Sequence, residues 1–172
     1  MKSRLIVGLV AFLAVAAAAA AQDGRDQQLA DQIAAGIRNY PQFTIFDYVS
    51  GEVENGVVSL SGKVTMPHKR TDIERQVARI DGVREVRNGV TVLPVSIQDD
   101  ALRQRIARAI YGSPSFWPYA SMANPPIHIL VENGRVTLTG VVHSNVERAM
   151  ARSLATGWGE FSVDNELRTE LK

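Results

Sequence analysis

The chain has 172 residues, 45% of them hydrophobic and 22% charged, with a formal net charge of +1 and no cysteine. That length admits one ordinary domain or two small ones, and the composition excludes an unfolded polar chain. Near-neutral charge excludes a globally basic nucleic-acid binder, and the missing cysteines exclude both disulfide staples and a thiol nucleophile.

In chain order, Lys2 and Arg4 give a short basic start, Leu5 to Ala21 is unbroken apolar sequence, and Ala19, Ala20 and Ala21 end it with small residues. Residues 1–21 therefore read as a secretory signal cleaved near Gln22. The alternative is a retained anchor, since ~20 apolar residues span a bilayer. A lipoprotein is excluded, because acylation at a bacterial export signal needs a cysteine. Without Lys2 and Arg4 the chain carries 17 basic and 18 acidic residues, so any electrostatic attraction must be local.

The remainder contains one unit twice. Val53 to Val64 reads VENGVVSLSGKV, and Val131 to Val142 reads VENGRVTLTGVV, identical at eight of twelve positions. Upstream, Leu29, Ile33 and Ile37 recur as Leu102, Ile106 and Ile110, at the spacing of an amphipathic helix. Downstream, Ile73, Val77, Gly82, Val86, Asn88 and Val90 match Met150, Leu154, Gly159, Val163, Asn165 and Leu167, in the register of a second helix and a final strand. The second copy has five extra residues within Gly112 to Pro126.

Each Asn-Gly lies between alternating apolar runs and predicts a two-residue hairpin turn. Val58, Leu60, Gly62 and Val64 should face the core and Val57, Ser59, Ser61 and Lys63 solvent, as should their counterparts. Gly62 and Gly140 fall on the packed face, where the absence of a side chain would let a helix approach. Ser144 and Glu147 suit a capping box, and Pro67 a first helical turn. Each unit thus reads helix-strand-strand-helix-strand. The expected fold is α+β: two tandem two-layer sandwiches over 25–93 and 98–172, each with a three-stranded mixed sheet and two helices on one face. The short connection Leu93 to Gln98, with Pro94, should leave the units packed together.

A signal, an amphipathic helix, VENGVVSLSGKV with GVREVRNGV, and VENGRVTLTGVV with GEFSVDNEL resemble the BON domain of osmotically induced and nodulation-related bacterial proteins. The resemblance covers about Asp26 to Leu171, and departs from the pattern where Glu160 replaces the valine of the Gly-Val pair. It implies a periplasmic or envelope setting, phospholipid binding, and support of envelope integrity under stress.

The residues point to the second unit as the place for a lipid contact. Arg103, Arg105 and Arg108 flank the core face of its first helix, and Tyr111, Phe116, Trp117 and Tyr119 follow. Aromatic rings settle at headgroup level while arginine pairs with phosphate, so this combination suits an anionic membrane surface. The equivalent helix of the first unit has Ala30, Gln32, Ala35 and Arg38, with far less positive charge, so binding should be asymmetric. The competing reading folds those aromatics over the core and leaves the arginines solvated.

Nothing in the sequence argues for an enzyme. His68, His128 and His143 lack metal-ligand spacing, and the His68 and Asp72 pair reads as a surface contact. Gly56 to Lys63 mimics a phosphate loop but has the wrong spacing, no GxSxG elbow is present, and Asp99 and Asp100 suit a helix start. No metal or other cofactor, and no nucleic-acid partner, is expected. The alternative to lipid is an envelope protein partner docked on a sheet edge or the aromatic loop.

Overall fold

A computed structural model describes residue 22 and residues 24–170. Residues 1–21, expected to be a secretory signal, and the last two residues assigned to the second unit lie outside the described residues.

Helix α1 spans residues 24–38 and turns Leu29, Ile33 and Ile37 inward. β1 (Tyr48–Glu54) and β2 (Val57–Val64) form an antiparallel hairpin whose Asn55 and Gly56 both have positive φ, 52° and 75°. Those are the angles that a type I′ turn demands and that Asn-Gly supplies with little strain. α2 (Pro67–Val77) starts with proline and carries the chain to β3 (Glu85–Asn88), parallel to β2. Val58, Leu60 and Val64 meet Ile33, Ile37, Ile73 and Val77 in one buried cluster, so both helices cover the same face.

The second module repeats this order with α3 (Ile97–Tyr111), β5 (Ile127–Glu132), β6 (Arg135–Val142), α5 (Asn145–Leu154) and β7 (Ser162–Thr169). Its hairpin turn, Asn133 and Gly134, has φ of 52° and 73°. The strand order is β5-β6-β7, with β5 antiparallel and β7 parallel to β6. The longer loop of this module forms a 3-10 turn, Pro114–Phe116, and a short helix α4, Trp117–Ala120.

Two expectations are corrected. The third strand of the first module is not continuous: the ladder is interrupted at Gly89 and Val90, then resumes in unchanged register as β4 (Thr91–Val92) beside β2. Gly62 and Gly140 do not make room for a helix. Their φ values are +130° and +121°, and a Cβ would lie 2.1 Å from the Tyr48 carbonyl oxygen and 1.8 Å from that of Pro126. The constraint is the backbone at the start of the neighbouring strand.

Asp47 is the structural knot of the first module. Its fully buried carboxylate accepts from Thr44 N and Oγ1 (2.9 and 2.7 Å), Thr65 N and Oγ1 (2.7 and 2.8 Å), and Lys69 Nζ (2.6 Å). One side chain thereby joins the loop before β1, the end of β2 and helix α2. Burial alone would raise its pKa, but the bonds from Lys69, Thr44 and Thr65 outweigh that and hold it below the ordinary carboxyl value.

The same loop reaches the second module. The carbonyl of Ile45 accepts from Ile129 N at 2.7 Å, on the otherwise open edge of β5, and Ile45 and Phe46 pack against the second core. The His128 ring stands between Phe43 and Tyr48, each 5.6 Å away, and Lys63 pairs with Glu132. The outer face of the second sheet is accordingly not fully wet: Leu130 and Thr139 there are buried.

Replacing Asp47 by Asn should cost about 3–5 kcal/mol in a urea melt, because Lys69, itself buried, would be left without its counter-charge. In the wild-type protein the depressed pKa makes this contribution complete at neutral pH; it is lost as pH falls through and below the ordinary carboxyl value of 3.8. Gly140→Ala should cost about 2 kcal/mol or more, since strain and a clash act together. Gly157→Ala, at φ +94° with open space around it, should cost clearly less in the same melt.

Candidate binding surface of the second module

α3 owes its position to both ends. Ser96 caps it, its Oγ accepting from Asp99 N at 3.2 Å. Asp99 then accepts from the hairpin amides of Asn133 (2.9 Å) and Gly134 (2.8 Å), which latches the helix start to the β5-β6 turn. Asp26 makes the same latch in the first module, to Asn55 (2.7 Å) and Gly56 (3.2 Å). Helix-start acids were expected to act on their own helix; here their main partners are 29 to 35 residues away.

The seven expected contact residues separate into two groups. Arg103 is only 4% exposed, pairs with Asp100, and donates to the Val131 carbonyl at 2.5 Å, so it ties α3 to β5. Phe116 and Tyr119 are buried in the core, because the turns opened by Pro114 and Pro118 fold them over the sheet. Tyr111 is half-buried and donates to the Ile127 carbonyl at 2.6 Å; burial pushes its pKa upward. Arg103, Phe116 and Tyr119 are thus buried, whereas Tyr111 lines a shallow pocket beside Arg108. Arg105, Arg108 and Trp117 remain exposed, Trp117 by 61%. Neither arginine has an acidic partner among the described residues.

Tyr119 has a definite structural task. Its hydroxyl donates to Glu147 Oε2 at 2.7 Å and accepts from His143 N at 2.9 Å, and its ring stacks on His143. Burial, then the Glu147 carboxylate, pushes its pKa to about 12. His143 follows β6 as Thr65 follows β2, so Tyr119 and Glu147 satisfy the backbone amide that Asp47 satisfies in the first module. The capping box is thereby altered: Ser144 Oγ accepts from Glu147 N at 3.2 Å, but the glutamate reaches His143 N.

A second exposed group was not anticipated. Ile97 at the start of α3, Trp158 and Phe161 in the loop between α5 and β7, and Arg105 line one open groove of about 660 Å³ at the hairpin end of the module. Ile97 is 84% and Phe161 85% exposed, which is unusual for side chains of this size. The available signal lay in comparing the copies: Trp158 and Phe161 stand where the first unit has Asp81 and Arg84.

No catalytic constellation forms around these residues. His68 contacts Gln42 at 2.5 Å, Asp72 instead accepts from Tyr40, and His143 pairs with Glu170. Among the described residues no three His, Asp or Glu gather where they would hold a metal.

The chain is similar in structure to CdsD, a structural protein of the type III secretion system of Chlamydia trachomatis. Its C-terminal domain is 14% identical, with 81% of this chain and 96% of that chain covered, at a TM-score of 0.27. A second CdsD structure is 15% identical, with 80% and 91% covered, also at 0.27. Those scores are too low to transfer a role. No curated protein matches the chain in sequence. The BON domain family model matches residues 25–94 and again 98–170, almost the entire described chain. The two copies of the helix-strand-strand-helix-strand unit are therefore tandem BON domains, and the chain belongs to the BON-domain family.

Proposed function

We propose that this protein is an exported, non-enzymatic protein of the bacterial periplasm whose second BON domain binds anionic phospholipid at the membrane surface, supporting envelope integrity under stress. BON domains form a non-catalytic binding family found in envelope-associated proteins. Among the described residues no helix is long and apolar enough to cross a membrane.

The observation that carries the reading is the state of Arg105 and Arg108. Both are exposed, neither is neutralised by a described acid, and a tryptophan exposed by 61% follows in the same module. An unpaired guanidinium offers a planar fork to a phosphate at no cost of breaking an existing pair. The equivalent positions of the first domain hold Gln32 and Ala35, so this pair of arginines is peculiar to the second domain. Two surface cations supply about 2 kcal/mol, roughly 30-fold in partitioning, which favours a reversible peripheral association.

Protein purified from residue 22 onward should co-sediment with vesicles containing phosphatidylglycerol and not with neutral phosphatidylcholine vesicles, and binding should weaken as salt rises. The double substitution R105E/R108E should reduce binding at least about 30-fold. Equal binding to neutral vesicles, or no change in the double variant, would overturn the reading.

A further inference from the structure

The groove at the hairpin end of the second domain has a property that electrostatics does not explain. Two separate segments bring three large apolar side chains to it: Ile97 from the start of α3, and Trp158 and Phe161 from either side of Glu160 in the loop before β7. Phe161 lies over the hairpin tip, so close that a Cβ on Gly134 would meet its Cδ2 at 2.7 Å.

The first domain is an internal control for what the fold requires. Its backbone at the same place is equivalent: Arg84 N donates to the Gly56 carbonyl at 2.8 Å, as Phe161 N does to that of Gly134 at 2.8 Å. Asp26 latches the first turn as Asp99 latches the second. Yet the side chains differ in kind. Gly24, Asp81, Arg84 and Gln32 occupy the positions of Ile97, Trp158, Phe161 and Arg105. Gln32, Asp81 and Arg84 line a groove with Asp26, which is consequently polar. Folding is satisfied with polar residues there, so the apolar set of the second domain has another cause.

We infer that Ile97, Trp158 and Phe161 form a wedge that enters the acyl-chain boundary of an anionic bilayer. This inference rests on the phospholipid reading above and assigns its apolar contact to this end of the domain. Charge continuity favours a bilayer as the occupant: Arg105 lines the groove and Arg108 lies one turn along the same helix, so cations border the wedge. Three donors of the loop are already bonded: Gly157 N and Trp158 N donate to the Glu160 carboxylate at 2.8 and 2.7 Å, and Trp158 Nε1 donates to the Leu154 carbonyl at 2.8 Å. Donors bonded in this way cost less to bring out of water. The Glu160 charge limits the depth, which keeps the rings at headgroup level where tryptophan is favoured. Three side chains are also few for a protein interface, which needs about 800 Å² per partner, yet they are sufficient beside cations for a peripheral membrane contact.

The chain has two tryptophans, and each reports on one candidate contact. Trp117→Phe leaves Trp158 in the wedge; Trp158→Phe leaves Trp117 beside α4. Each variant would be added to phosphatidylglycerol vesicles whose acyl chains carry bromine, which quenches tryptophan only within contact distance. Quenching and a blue shift of Trp158, together with a loss of binding of about tenfold or more for Phe161→Ser, are expected. Phe161 is exposed, so that substitution leaves the core intact. Binding without quenching of Trp158 would overturn the wedge and leave the phospholipid reading standing. Absence of vesicle binding by either variant and by the wild-type chain would overturn both, and would return the apolar groove to a protein partner.

Discussion

A single buried carboxylate holds the arrangement together. Asp47 fastens the loop before β1, the end of β2 and helix α2, and the shape it imposes on that loop presents the Ile45 carbonyl to Ile129 of the other domain. A buried charge is tolerated only when its partners are complete, and here four Thr donors and one Lys are supplied. A small domain with no disulfide depends on such points, because a unit of about 70 residues buries only ~60% of the surface of its unfolded chain. Contact between the domains adds to that burial and covers an open edge of β5 that would otherwise invite pairing with another chain.

The duplication separates what the fold requires from what surfaces are free to do. Both copies keep the I′ turn, the aspartate latch on its amides and the glycine beside a strand-start carbonyl. One amide is satisfied differently in each. Thr65 N finds a carboxylate paired with lysine, whereas His143 N finds a tyrosine hydroxyl and a glutamate. The extra loop of the second domain supplies Tyr119, which with Glu147 of α5 takes the place that Asp47 has in the first domain. Tyr119 performs this task, Phe116 packs in the core and Tyr111 bonds the Ile127 carbonyl, which leaves Trp117 as the exposed aromatic of the loop.

The contrast between the two hairpin ends carries the functional argument. Equivalent backbone, equivalent latches and opposite side-chain chemistry mean that the polar groove of the first domain and the apolar groove of the second diverged after the fold was settled. Arg105 belongs to the apolar groove and also to the exposed side of α3, so electrostatic attraction and apolar contact meet at one residue. That coincidence is what relates the arginine-based reading to the wedge.

Much of this was legible in the sequence because it is periodic. Alternation along β2 and β6, spacing of four along α1 and α3, and Asn-Gly turns define the element order, the two domains and the core faces, since side-chain direction follows backbone period. Periodicity says nothing about which loop side chains turn inward. Arg103, Phe116 and Tyr119 resemble Arg105 and Trp117 in type, and only packing divides them: the former meet a carbonyl, a core and a carboxylate, and the latter meet water. Ile97 is 61 and 64 residues from Trp158 and Phe161, and becomes their neighbour through the latch on Asn133 and Gly134. Local pattern determined the repeated α+β unit, while the site was decided by long-range contacts between segments that no short window contains.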